Sequence, residues 1–448
     1  MRAFYTFLNL VLLAGYALTL RRIVRGSRGL NALLGWWVGL GFFVVAPLSL
    51  MVFCGGYELP EYIHMDIYWR EISFTNGNFL LPYLVVWFTL MSSCLAIYLF
   101  FDPQAGVKIN RGSLVQSGVE KILLLTIGIT ILDWLITIKL VGGFESFLIS
   151  HWYERGDDLV TQLGDSFVLL SHISMANQAV FTAALSLYAW MALQRYRIRW
   201  SMFSFGFLAA LMEVVMTGNR IYLATFLLAF LTSCVLCSRR KIIAGLLIAS
   251  PLLAIVFSAW AAVRHDLTDI PSSATAYLDD GVANHTVSSA FDVTEGMDIL
   301  LAMHMIRDFG SKYDYLYGSS YSRSILSFVP RRIFPGKPET FTGFLAGIYV
   351  PNVLTSLNAT AIGEMYANFG PATLLMFPLF TFGIALWTRW ENAHWHENGL
   401  LSPLLFVLMI WTARVTVEDS FVLLLLALCI MRLFRMEKGL YRLELATV

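Results

Sequence analysis

Apolar blocks such as FLNLVLLAGYALTL, LLPYLVVWFTLMSSCLAIYLF and IYLATFLLAFLTSCVL recur from one end of the chain to the other, and short polar stretches separate them. Blocks of this length suit helices that cross about 30 Å of hydrocarbon. The pattern predicts eleven helices, near 4–20, 30–54, 78–101, 121–141, 167–193, 201–217, 221–238, 242–262, 371–389, 400–416 and 419–434. The expected fold class is all-α, a polytopic integral membrane protein. Residues 1–262 carry the first eight spans, 263–370 form one large outer loop, and 371–448 carry the last three spans and a tail.

The polar stretches orient the spans. Arg21, Arg22, Arg25 and Arg28 follow the first, Arg195, Arg197 and Arg199 the fifth, Arg239, Arg240 and Lys241 the seventh, and Arg432, Arg435, Lys438 and Arg442 the last. Eleven spans bring all four clusters to one side. The opposite loops are acidic, with Glu58, Glu61, Asp66 and Glu71 in one and Glu145, Glu154, Asp157, Asp158 and Asp165 in another. The excess of cations on cytoplasmic loops then predicts an outer N-terminus and a cytoplasmic C-terminus. The first apolar run lacks a small-residue cleavage site and reads as a retained span. The loop 263–370 is too long for a mere connection. Within it FDVTEGMDILLAMHMIRDFG (291–310) has helical spacing, and Asp292, Glu295 and Asp298 suit a first turn.

Composition agrees. The chain is 58% hydrophobic and 14% charged, where soluble proteins carry about 25% charge. The formal net charge of +1 points to no particular partner, and no region has the make-up of a nucleic-acid binder. The five cysteines lie in or beside apolar runs. Cys234 and Cys237 form a CxxC with no second ligand pair nearby, which reads as packing thiols. His394 and His396 with Glu391 and Glu397 fall in a loop on the cytoplasmic side, apart from other candidates, and carry no metal expectation. No phosphate-binding loop and no GxGxxG after a strand is present. No cofactor is expected.

The cations expected on the outer side carry the chemistry. Arg220 sits in TGNR between spans six and seven, Arg264 and His265 follow span eight, and Arg414 lies between spans ten and eleven beside Glu418 and Asp419. Arg331, Arg332 and Lys337 belong to FVPRRIFPGKPETF (328–341), with Glu339 among them. Its three prolines disfavour a continuous helix and stiffen the segment. Outward cations near span ends run against the usual bias, and arginines gripping a phosphate or diphosphate would explain them. Helix capping, interfacial anchoring and pairing of Arg414 with Glu418 and Asp419 explain them equally well one by one. Glu364, in TAIGEMYANFG, is the acid best placed to take a proton or hold a cation. Asp133 and Glu213 lie within spans, where acids are functional or paired. Outer aromatics such as Tyr57, Tyr68, Trp69, Tyr313, Tyr315, Tyr317, Tyr321 and Tyr366 suit sugar faces and membrane interfaces alike.

These motifs, in this order, resemble the bacterial O-antigen polymerases, the Wzy proteins. TGNR–IYLA (217–224) is similar to their turn-and-arginine motif, and VRH (263–265) to the basic opening of their large outer loop. FVPRRIFPGKPETF resembles their PR…P-x-KP string. TAIGEMYANFGPAT (360–373) and ARVTVEDSF (413–421) resemble their GE…FG and C-terminal arginine-and-acid patterns. The similarity runs from residue 210 onward, and the first 200 residues match only as generic spans.

The resemblance implies a GT-C-like, metal-independent transferase of the inner membrane with its active site facing the periplasm. It would move a glycan from undecaprenyl diphosphate onto the next repeat unit carried by the same lipid. Arg220, Arg264, Arg331, Arg332, Lys337 and Arg414 would hold the diphosphate, with Glu339, Glu418 and Asp419 in support. Glu364, then His265, would serve the acceptor hydroxyl. The expected partners are undecaprenyl-diphosphate-linked oligosaccharides, the bilayer and a Wzz-type chain-length co-polymerase. An O-antigen ligase, a flippase of lipid-linked sugars and a scaffold in envelope assembly are the competing readings.

Overall fold

A computed structural model describes residues 1–58, 66–101, 113–114, 116–143, 165–196, 198–217, 220–246, 248, 294–326, 329, 333–351, 357–393, 399–433 and 441–442. The protein is mostly helical, with almost no strand among the described residues. Six of the described helical segments are long and apolar enough to cross a membrane: Arg2–Gly26, Ala32–Cys54, Leu80–Phe100, Gly118–Leu140, Trp200–Thr217 and Thr360–Ala393. Two shorter apolar helices, Ile221–Leu236 and Leu401–Arg414, accompany them. Most of the eighth expected span lies outside the described residues.

In chain order we label the helices α1 (Arg2–Gly26), α2 (Ala32–Cys54), α3 (Leu80–Phe100), α4 (Gln116–Leu140), α5 (Asp165–Leu193), α6 (Trp200–Thr217) and α7 (Ile221–Leu236). They continue with α8 (Gly296–Asp308), α9 (Ser319–Leu326), α10 (Phe341–Tyr349), α11 (Thr360–Phe369), α12 (Thr373–Ala393), α13 (Leu401–Arg414) and α14 (Val417–Leu433). A short ribbon pairs β1 (Gly56–Glu58) antiparallel with β2 (Glu71–Ser73), Tyr57 opposite Ile72.

Where described, the arginine-bearing loops lie at one end of the bundle. Arg22 Nε donates to the Phe101 carbonyl at 2.8 Å, and Arg389 donates to Phe100. Asn392 Nδ2 reaches the Gly26 carbonyl at 3.0 Å, and Arg239 that of Leu193. The start of α2 is buried here, where its first N–H groups have no partner in their own helix. Side chains supply what is missing. Glu391 accepts from Ala32 N at 3.1 Å, Thr388 from Leu33 N at 3.0 Å and Asn31 from Leu34 N at 3.0 Å. Glu391, read from sequence as part of a loop cluster, ends α12 as this staple. His394, His396 and Glu397 lie outside the described residues.

α2 and α13 run parallel through the core. The run Gly35-Trp-Trp-Val-Gly39 is a small-xxx-small face, which lets two backbones approach closely. A Cβ at Gly35 would overlap the Phe406 carbonyl, and one at Gly39 would lie 2.8 Å from the Ala413 methyl. This approach fixes the height of Arg414 at the far end of α13.

The long loop 263–370, where described, does not simply cap the bundle. Eleven residues of α8, Asp298 and His304 included, are buried. α8 packs against α2, α3 and α11, and Gly363 of α11 lies so close to Ala302 that a Cβ there would stand 3.1 Å from the Ala302 methyl. α11 is buried over nearly its whole length and passes through a 3-10 turn at Gly370–Ala372 into α12. The long loop thus contributes core, and its apolar run DILLAMHMI is buried inside protein.

Candidate functional site

The end opposite the arginine-bearing loops gathers residues from four distant stretches. Arg220 precedes α7, and Arg414 ends α13. The two helices run antiparallel, joined by Trp411 Nε1 donating to Thr225 Oγ1 at 2.8 Å and by the Trp411 and Tyr222 rings, 5.5 Å apart. That packing brings both guanidinium groups to one place.

They meet on the carboxylate of Glu295. Arg220 Nη2 lies 3.4 Å from Oε1 and Arg414 Nη2 3.5 Å from Oε2. Arg414 Nε also donates to Asp298 Oδ2 at 3.2 Å, and its guanidinium sits over the Phe43 ring at 5.9 Å. Phe43 is in a π-helical turn of α2, Gly41–Val45, which re-aims the side chains of that segment. Two cations thus face two acids. Asp298 is almost fully buried. Burial pushes its carboxyl up, and the neighbouring Arg414 opposes that push. Glu295 has left-handed backbone, φ 51°, and makes no side-chain cap for α8. The sequence reads Glu295 and Asp298 as first-turn acids; their carboxylates are spent on arginines from elsewhere in the chain.

Glu364 lies next to this cluster and is fully buried. Its Oε2 accepts from Val417 N at 2.7 Å, in the turn that follows Arg414. Its Oε1 accepts from Ser320 Oγ at 3.0 Å, and Asn368 Nδ2 donates to the same Ser320 oxygen at 2.8 Å. Both Glu364 oxygens are therefore engaged with protein. Glu364 ties α11, α9 and the α13–α14 turn together, and it does not face an open cleft as a free acceptor would.

Asp419 opens α14. Thr416 Oγ1 donates to Asp419 Oδ2 at 2.9 Å and accepts from Asp419 N at 3.0 Å, so Thr416 caps the helix. The other Asp419 carboxylate oxygen stands 3.9 Å from His172 Nε2. The acids beside Arg414 are thus Glu295 and Asp298, in place of the adjacent Asp419. The Glu418 side chain lies outside the described residues, as do Arg264, His265, Arg331 and Arg332.

The proline-rich segment is non-helical where described, from 333 to 340. Lys337 Nζ donates to the Val329 carbonyl at 3.2 Å, and Arg323 of α9 holds the Pro338 carbonyl. Glu339 is exposed, and Thr340 then caps α10 by accepting from Gly343 N at 3.2 Å. Through α9 this segment shares its anchor with Glu364. The intramembrane acids have partners: Ser174 donates to Asp133 at 2.7 Å and Trp134 Nε1 to Glu213 at 2.6 Å.

Among the described residues no group of three or more His, Cys, Asp or Glu is arranged to hold a metal ion. The chemistry on hand is that of guanidinium groups held by carboxylates, suited to an anion that can displace one of them. No family model matches the chain, and no curated protein and no solved structure matches it.

Proposed function

We propose that this protein is a membrane glycosyltransferase that lengthens a surface polysaccharide, in the manner of the O-antigen polymerases. The observation that carries the reading is the meeting of Arg220 and Arg414 on one partly exposed carboxylate, Glu295, at 3.4 and 3.5 Å. Both arginines come from motifs that carry the resemblance, and so does Glu364, which anchors the turn after Arg414.

In this reaction the acceptor hydroxyl oxygen attacks the anomeric carbon of the donor glycan. The bond from that carbon to the diphosphate oxygen breaks, and undecaprenyl diphosphate leaves with the electron pair. Preorganised cations aimed at the leaving oxygens stabilise the charge that grows there. Arg220 and Arg414 are such cations. In the free protein Glu295 stands where the diphosphate would bind. Its displacement would free a carboxylate beside the site, able to take the acceptor's proton. Asp298 stays on Arg414 Nε and keeps the guanidinium oriented. Glu364 acts on Arg414 through the Val417 turn, so its part is positioning. Arg264, His265, Arg331, Arg332 and Lys337 are proposed to complete the outer face, and the active site to face the periplasm across the inner membrane.

The test is a polymerisation assay with purified protein and lipid-linked repeat units, read as a ladder on a gel. Wild type should extend the chain, while folded Arg220→Ala and Arg414→Ala should not. Transfer of a single unit to lipid A-core would make the protein a ligase. No transfer to any acceptor, with intact protein and the correct substrate, would refute the transferase reading and favour a flippase or a scaffold.

A further inference from the structure

A second charged cluster lies at the other end of α8, nine residues and about 14 Å from Asp298. Arg307 is fixed there on several sides. Its Nε donates to Asp308 Oδ1 at 3.0 Å, and its Nη2 to His304 Nδ1 at 2.7 Å. Its guanidinium carbon lies 4.0 Å from the Tyr68 ring centre and 5.0 Å from that of Phe79. Lys312 Nζ is also 4.0 Å from the Tyr68 ring centre and 3.5 Å from Asp308 Oδ1. The remaining Asp308 oxygen accepts from Trp69 Nε1 at 3.0 Å.

Among the described residues the charges do not balance. His304 is neutral, since Arg307 takes the lone pair of Nδ1 and Nε2 faces the Glu71 carbonyl at 2.9 Å. Two cations therefore share one buried carboxylate, Asp308. Of the nearby described acids, Glu58 is paired with Arg70 at 3.2 Å, Asp66 caps the turn that carries Tyr68, and the side chains of Glu71 and Asp314 are exposed. The cluster at the other end of α8 sets two acids against its two arginines. Donors are also left over here. Arg307 Nη1 makes no hydrogen bond among the described residues, and the Lys312 side chain is 46% exposed.

The depth of the cluster indicates what it meets. Phe79 adjoins the first residue of α3, a helix long and apolar enough to span a membrane, and Leu81 just inside it is exposed. Exposed Tyr68 beside a span end is where amphipathic rings sit at headgroup level. We propose that Arg307, Lys312 and Tyr68 form a binding site for a phosphate group at the outer end of the bundle, separate from the Arg220–Arg414 cluster. The phosphate belongs to a lipid headgroup or to a free phosphate compound; in either case Arg307 Nη1 and the Lys312 ammonium grip its oxygens. A guanidinium locked in place before binding loses little freedom when the anion arrives.

Two arms on the full chain in detergent test this. The first titrates inorganic pyrophosphate by calorimetry. The second follows retention of phosphatidic acid against phosphatidylcholine by native mass spectrometry. Binding in either arm, weakened roughly tenfold by Lys312→Ala and kept in Arg220→Ala, supports the site. The first arm alone points to a free phosphate compound, the second to a headgroup. Lys312 is exposed enough for its variant to fold; Arg307→Gln is the second variant and should weaken binding at least as much. Binding insensitive to Lys312→Ala and lost in Arg220→Ala, or no binding in either arm, would overturn the proposal. Loss of polymerisation in Arg220→Ala bears only on the transferase reading.

Discussion

Replacing Glu364 by alanine separates a positioning role from a proton-transfer role. Glu364 is fully buried and accepts from Val417 N at 2.7 Å and Ser320 Oγ at 3.0 Å. Alanine leaves both donors without this partner. Leaving a buried hydrogen-bonding group unsatisfied costs about 1–3 kcal/mol, so Glu364→Ala, which strands two, should cost roughly 2–6 kcal/mol, much of a membrane domain's margin. Glutamine keeps a carbonyl oxygen for Val417 N. Its amide can donate to Ser320 Oγ, which already accepts from Asn368, and the serine proton must then turn elsewhere. Glu364→Gln should therefore cost about 1–2 kcal/mol. Thermal unfolding in detergent, followed by size-exclusion of the surviving monodisperse protein, reads the order wild type, Gln, Ala. In the polymerisation assay Gln should retain most of the rate and leave the pH profile unchanged. An alanine variant as stable as wild type would refute the structural argument. A stable glutamine variant with no activity and a lost acid limb would restore Glu364 as the base.

Three further outcomes follow. Glu295→Gln should lower the polymerisation rate about a hundredfold, the lower range for a general base, yet cost only about 1–3 kcal/mol of stability, because Glu295 itself is partly exposed and glutamine keeps an oxygen for the two arginines; an unchanged rate removes Glu295 from the proton path. Gly35→Ala should destabilise by about 1–3 kcal/mol, since its methyl meets the Phe406 backbone, and an unchanged melting temperature in detergent would show that α2 and α13 do not approach as described. His304 should set an acid limit. Burial, with Arg307 in support and against the opposing Asp308, pushes its value down to about 3, below the ordinary value of about 6.5. As pH falls below about 6.5, the unfolded chain takes a proton that the folded chain refuses. Stability present above that pH is then lost toward about 3, at up to roughly 1.4 kcal/mol per pH unit. Melting temperatures of wild type and His304→Gln between pH 7 and pH 5 check this; equal slopes contradict it.

The apolar blocks alone place the chain in a membrane and mark where many of its helices lie. A span is a local property, since each apolar block must bury its own backbone hydrogen bonds in a helix. Of the loop arginines assigned to one face, Arg22 and Arg239 sit at helix ends on the Phe101 and Leu193 carbonyls, while Arg197, Arg435 and Lys438 lie outside the described residues. The segment around Pro335 and Pro338 is non-helical where described, as proline requires.

The partners were decided by tertiary structure alone. Asp419, five residues from Arg414, is engaged with Thr416 at the cap of α14, and the carboxylates at Arg414 come from Glu295 and Asp298, more than a hundred residues away. Nothing in sequence spacing encodes that meeting. Glu364 looked like an available acid because its neighbours along the chain offer no partner; Ser320 and Val417 N are brought to it by packing. The burial of α8 was half legible. Its run DILLAMHMI is apolar on nearly every side, which signals a helix enclosed by protein, but a helix between two long polar stretches reads first as part of a surface loop. Side-chain chemistry is local, whereas the fields that tune it depend on which distant groups the fold sets beside it.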